Sequence, residues 1–199
     1  MKSNVCKIDN GIKDLEAIFK ESERVAEYNG LTHKQSLQLR LLCEEIDGML
    51  PYIIEDFEGN LWIECEGGVC KINVSIKIPD IDTAKKEDLM AISKDKKNAA
   101  AVGIVGKIRN AIENFFLDEN CMNAFDSSAA SFHLSTGYSE GVDYSYLWSL
   151  DQYRNLIKPE TEAEAWDELE KSVIASVADD IIVGVKGKQA DIIIVKKFA

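Results

Sequence analysis

Glu44 and Glu45 stand side by side in an otherwise apolar stretch, followed one helical turn later by Gly48 and Met49 and then by Pro51. Acids and a glycine are costly inside an apolar helix, so this pattern asks for a reason. Downstream, Asp80 and Asp82 follow Pro79, and Gly103 and Gly106 lead into Lys107. A glycine-bearing helix start offers free N–H groups to an anion, and Lys107 adds positive charge. Such a set is compatible with a nucleotide site. The plainer alternative makes Glu44 and Glu45 a solvated helix edge, Asp80 and Asp82 turn acids, and the two glycines points of close helix–sheet packing.

Other chemistry has fewer residues to work with. His33 and His133 are the two histidines; His133 lies between Ser131 and Ser135, which leaves open a Ser-His-acid hydrolase without a nucleophile elbow. The five cysteines, Cys6, Cys43, Cys65, Cys70 and Cys121, are an odd number and read as structural residues rather than a disulfide framework. Cys65 and Cys70 flank Gly67-Gly68 and would face each other across a tight hairpin. A metal centre there would need two more ligands, and none stands nearby in sequence, so no metal site is expected.

The elements that must position these residues follow from periodicity. Gly11 to Tyr28 reads as a helix, with Ile12, Leu15, Ile18, Phe19, Val25 and Tyr28 as a broken apolar stripe. Thr32 with Gln35 makes a capping-box pattern for a second helix, whose Leu37, Leu41, Leu42, Ile46, Met49 and Leu50 form its apolar face until Pro51 ends or kinks it. Asn60–Glu66 and Cys70–Ile78 alternate around Gly67-Gly68, the signature of a hairpin with one buried face and one wet face. Ala99–Phe116 is helical. Val142–Trp148 alternates as a strand, and Asp151–Ile157 reads as a short helix. Glu160–Ala178 is a helix with Trp166, Leu169, Val173, Ile174 and Val177 on one side, and Ile181–Lys186 with Ala190–Lys197 form a closing hairpin. Helix followed by hairpin therefore occurs twice. The expected fold is α+β, a two-layer α/β sandwich with a mixed or antiparallel sheet and helices on one face. A single domain is expected over 1–199, with an ordered, aromatic-rich insertion at about 117–159.

Charge bounds the partners. The chain has 199 residues, 35 acidic against 23 basic, for a net charge of −12. Nucleic acid and anionic membranes call for a basic surface, so neither is expected. Lys85, Lys86, Lys94, Lys96, Lys97 and Lys107 cluster locally and read as a solvated run, with a lid over a ligand as the alternative for 85–98. Neither a secretory leader nor a membrane span is evident, so a soluble cytoplasmic protein is expected.

Taken together, these residues resemble the histidine-kinase-like (GHKL) ATPase superfamily, nearest to its anti-sigma-factor serine kinases. The resemblance covers roughly residues 32–116 by motif and the last hairpin by element order. It implies that Glu44 matches the glutamate that acts as base or positions water, and that Gly48 stands where the family has a magnesium-binding Asn; the register from Glu45 places Met49 there instead. It implies that Asp80 or Asp82 supplies the carboxylate that meets the adenine amino group, although both glycines of that motif are missing. Gly103-Ile104-Val105-Gly106-Lys107 falls at the family's phosphate-binding helix start. The ligand implied is ATP or ADP, with magnesium deprived of its expected side chain. The function implied is a nucleotide-binding regulatory protein, weak or inactive as a kinase, acting on a protein partner, with a homodimer compatible. The alternatives are a non-catalytic pseudo-ATPase interaction module and a small-molecule hydrolase.

Overall fold

The computed structural model describes residues 1–10, 15–54, 56–77, 103–117, 145–157, 163–186 and 188–198. Asp80, Asp82, the lysines from 85 to 97, Cys121, Ser131 and His133 lie outside them, as do residues 118–144 and 158–159 of the expected insertion and 160–162 of the helix expected after it. The described elements run β1 (Cys6–Asp9), α1 (Leu15–Tyr28), α2 (His33–Ile53), β2 (Glu58–Glu66), β3 (Val69–Lys77), α3 (Gly103–Leu117), β4 (Ser145–Ser149), α4 (Leu150–Leu156), α5 (Ala163–Lys171), α6 (Val173–Val177), β5 (Asp180–Lys186) and β6 (Gln189–Lys197).

α2 begins where its cap predicts. The Thr32 hydroxyl accepts the Gln35 N–H at 3.4 Å, and the Gln35 side-chain oxygen accepts the Thr32 N–H at 2.8 Å. Its buried seam is Leu39, Leu42, Cys43, Ile46, Leu50 and Ile53, whereas Leu37, expected inside, is 51% exposed. Pro51 neither stops the helix at once nor leaves it unbonded afterwards: α2 continues to Ile53, and the Ile54 N–H returns to the Leu50 carbonyl at 3.0 Å. Proline in the last turn forfeits one ladder bond, and the helix ends soon after.

The sheet is six-stranded and antiparallel throughout, in the order β1-β2-β3-β6-β5-β4. β3 pairs with β6 over its whole length, from Val69↔Lys197 to Lys77↔Gln189, so the two hairpins share the middle of one sheet. Gly67 and Gly68 form the two-residue turn with φ of 57° and 80°, the doubly positive geometry of a type I′ hairpin. Gly59 is needed for another reason: a Cβ there would sit 2.4 Å from the Ser75 carbonyl oxygen.

One face carries the core. Leu61, Ile63, Ile72, Val74, Ile76, Ile181, Val183, Val185, Ile192 and Ile194 are all buried, and they join α1, α2, α3 and α6 in one apolar cluster. Helices over one sheet face are consistent with the expected two-layer α+β sandwich. The opposite face is mostly half-buried or exposed, with Asn60, Trp62, Lys71 and Ser75 along it. Asn73 and Asp191 depart from the wet-face expectation, both being 8% exposed.

Two further expectations change. The helix expected over Glu160–Ala178 is two helices in its described part, broken at Ser172, whose hydroxyl caps α6 by accepting the Ala175 N–H at 3.4 Å. A serine that bonds backbone favours a helix start over a helix interior. Cys65 and Cys70, read as unbridged, form a disulfide. No described helix is long and apolar enough to cross a membrane.

Candidate functional site

The expected phosphate-binding helix start is the best-defined part of the candidate site. α3 opens at Gly103 with φ +83°, a left-handed conformation that suits glycine. Ile104, Ile108 and Ile112 then anchor one side of α3 in the core, and Gly106 is buried, which fits close packing at that position. α3 packs against α2, α5, β4 and β5. Its first N–H is already engaged: Gly103 N donates to Oε2 of Glu168, on α5, at 2.9 Å. A carboxylate beside a helix N-terminus satisfies an orphan donor and complements the helix dipole. This helix start thus meets an anion, and the anion is a side chain of the same protein.

Lys107, half-buried one turn along, directs its ammonium over the Tyr153 ring at 5.4 Å from the centroid. Tyr153 in turn lies 5.9 Å from Trp148. Lys107 therefore spends its charge on an aromatic face of α4.

The acids of α2 divide by face. Glu44 and Gly48 are exposed, Glu45 is half-buried, and Asp47 is 5% exposed. An Asp47 on the apolar stripe was available to sequence reasoning, because Cys43 and Leu50 bracket it at i−4 and i+3. The position expected for a magnesium-binding side chain is Gly48 or Met49, and neither offers a ligand oxygen. The residues present do not fit magnesium in that role. A Cβ at Gly48 would meet nothing within 4 Å, so space is not the reason the ligand is missing. Among the described residues, no cluster of three His, Cys, Asp or Glu could hold a metal ion. Asp80 and Asp82, the expected adenine acceptors, and Ser131 with His133 lie outside the described residues. His33 is exposed at the start of α2.

Some polar residues that tie the site's surroundings together escaped sequence reasoning. Arg154 of α4 donates to the carbonyls of Asp179 at 3.0 Å and Ala178 at 3.3 Å, and to that of Ala175. One guanidinium thus caps the C-terminal end of α6 and holds the entry into β5. Asp180 accepts from Ser149 Oγ at 3.1 Å, Asp151 N at 3.0 Å and Ile181 N at 2.8 Å, which clamps the corner between β4 and α4. Only Ser149, three before Gln152, carried a local signal, as an N-cap. Comparison with protein-family models, with curated proteins and with solved structures finds no match.

Proposed function

We propose that this protein regulates by binding another protein rather than by turning over a substrate. The observation that carries the reading is the Glu168 carboxylate on the Gly103 N–H at 2.9 Å, where the GHKL resemblance would seat a nucleotide phosphate. An external phosphate would have to displace Glu168, since two anions at one helix start repel each other. The exposed Glu44 and the side-chain-free Gly48 on the same turn of α2 support it further, and no phosphoryl-transfer step is assigned. A net charge of −12 favours a partner with a basic surface. Calorimetry with ATP or ADP and magnesium tests the reading: no binding is expected at millimolar nucleotide, and micromolar binding to the unaltered protein would overturn it.

A second reading keeps the nucleotide, favoured by the left-handed Gly103 at the head of α3. In it Glu168 swings away, the α3 N–H groups take the phosphates, and Asp80 or Asp82 meets the adenine amino group. Tighter ATP binding in Glu168→Ala, weakened again by Asp80→Asn, would favour this reading over the first.

A further inference from the structure

We propose that Cys65 and Cys70 are a reversible dithiol–disulfide switch that sets how firmly residues 1–3 and Phe198 are held at one corner of the sheet. The register carries the first part. Glu66↔Val69 closes the Gly67-Gly68 turn, and Cys65↔Cys70 is the next rung, with Cα atoms 4.1 Å apart. Antiparallel rungs alternate between hydrogen-bonded and non-hydrogen-bonded pairs, and side chains come closest in the latter. The Cys65 N–H points away from β3, donating to the Met1 carbonyl at 2.8 Å. The cysteines therefore occupy a non-hydrogen-bonded rung, where two thiols meet with the strands already in place.

The bond's span carries the second part. It joins residues five apart in sequence, across a turn that the ladder already closes. Loop-entropy stabilisation grows with loop length, so a permanent staple here would add little to global stability. Its local effect is larger, because that rung has no cross-strand backbone hydrogen bond of its own. The neighbours of the rung hold other segments: Ser3 N donates to the Ile63 carbonyl at 2.8 Å, and Phe198 N to the Gly68 carbonyl at 2.7 Å. Loosening the rung loosens these attachments.

The chemistry balances as exchange with a low-molecular-weight disulfide. One cysteine thiolate attacks a sulfur of that disulfide and releases a small thiolate. The second cysteine thiolate then attacks the protein sulfur of the mixed disulfide and releases the other small thiolate. The two protons lost by the cysteines end on the two released thiols, and a dithiol reductant reverses the sequence. Both cysteines are buried, at 2% and 1% exposure, so exchange proceeds through local opening of the turn. Cys43 does not compete: burial, reinforced by Cys6 nearby, pushes its thiol well above the ordinary range and leaves little thiolate.

The test uses the full chain equilibrated across graded ratios of reduced to oxidised glutathione, with thiol trapping and peptide mass spectrometry, followed by hydrogen exchange on both end states. A single reversible two-electron transition is expected at Cys65 and Cys70. In the reduced form the amides of Ser3, Cys65 and Phe198 should exchange at least about tenfold faster, with α2 core amides unchanged. A Cys65→Ala/Cys70→Ala double variant should match the reduced form and ignore the glutathione ratio. A pair that stays bonded or stays reduced across the whole range, or equal exchange in both states, would overturn the proposal.

Discussion

Gly103 and Glu168 are 65 residues apart, yet the backbone N–H of one donates to the carboxylate of the other at 2.9 Å. The contact joins α3 to α5 at the helix start where an external anion was expected. It places a structural role and a candidate binding role on the same hydrogen bond.

Replacing Glu168 with Ala should destabilise the fold by about 1 kcal/mol, the usual cost of losing a helix-start acceptor. For a chain of this size that is a fall in Tm of roughly 2–4 °C. Glu168→Gln keeps an acceptor oxygen without the charge and should lose less. Calorimetric melting of the three proteins measures the order, and equal melting temperatures would mean the contact carries no stability.

Gly103 and Gly48 should respond oppositely to alanine. A Cβ meets nothing within 4 Å at either position, so only the backbone decides. Gly103 has φ +83°, where an L side chain costs about 1–2 kcal/mol, so Gly103→Ala should be destabilising. Gly48 sits inside α2 with ordinary φ and should gain roughly 0.5–1 kcal/mol on becoming Ala. Denaturant unfolding of both variants checks the sign.

Arg154 donates to the carbonyls of Ala175, Ala178 and Asp179, on or next to one short helix end. Arg154→Ala should cost about 1–3 kcal/mol, since partly buried carbonyls lose a charged donor. Arg154→Lys should recover only part of it, because an ammonium lacks the planar fork. Hydrogen exchange should locate the loss at α6 and the start of β5.

Glu64 predicts a pH dependence. Burial pushes its carboxyl up, but hydrogen bonds from Lys2 and Trp62, with the charges of Lys2 and Lys71, outweigh this and hold it below its usual value. Lys2 Nζ lies 2.9 Å from Glu64 Oε1, and Trp62 Nε1 donates to the same oxygen at 2.9 Å. A carboxyl lowered in the folded state stabilises fully above its unfolded value, about pH 4.3, and the benefit is lost as pH falls through the folded value. The pair is substantially exposed, so the amount should stay below about 1 kcal/mol. Melting curves of the wild type and Glu64→Gln should differ at pH 7 and converge towards pH 3.

The described elements were largely legible in the sequence because their signals are local. The Thr32–Gln35 cap, the Gly67-Gly68 turn, the alternation from Cys70 onward and the closing hairpin each depend on residues a few positions apart. The same periodicity could have separated Asp47 from Glu44 on α2, and Ser172 marked a break that a long apolar stripe concealed. The helix–hairpin pattern also pointed to a sheet backed by helices, because half-apolar strands need an apolar cover, but left it mixed or antiparallel until the pairing of β3 with β6 made it antiparallel throughout.

The sequence by itself marked most of the described helices and strands, though not β1 or the break at Ser172, and the apolar face of β2 and β3, since these follow from side-chain period. Tertiary structure decided which distant groups meet. β3 pairing with β6 unites the two hairpins, and α5 packing on α3 brings Glu168 to Gly103. The fold of α4 against α6 delivers Arg154 to its carbonyls. Such contacts depend on chain-wide topology, and no spacing along the chain encodes them locally. For the candidate site this matters most at Gly103: its glycine was visible in sequence, while the carboxylate that occupies its N–H came from another helix.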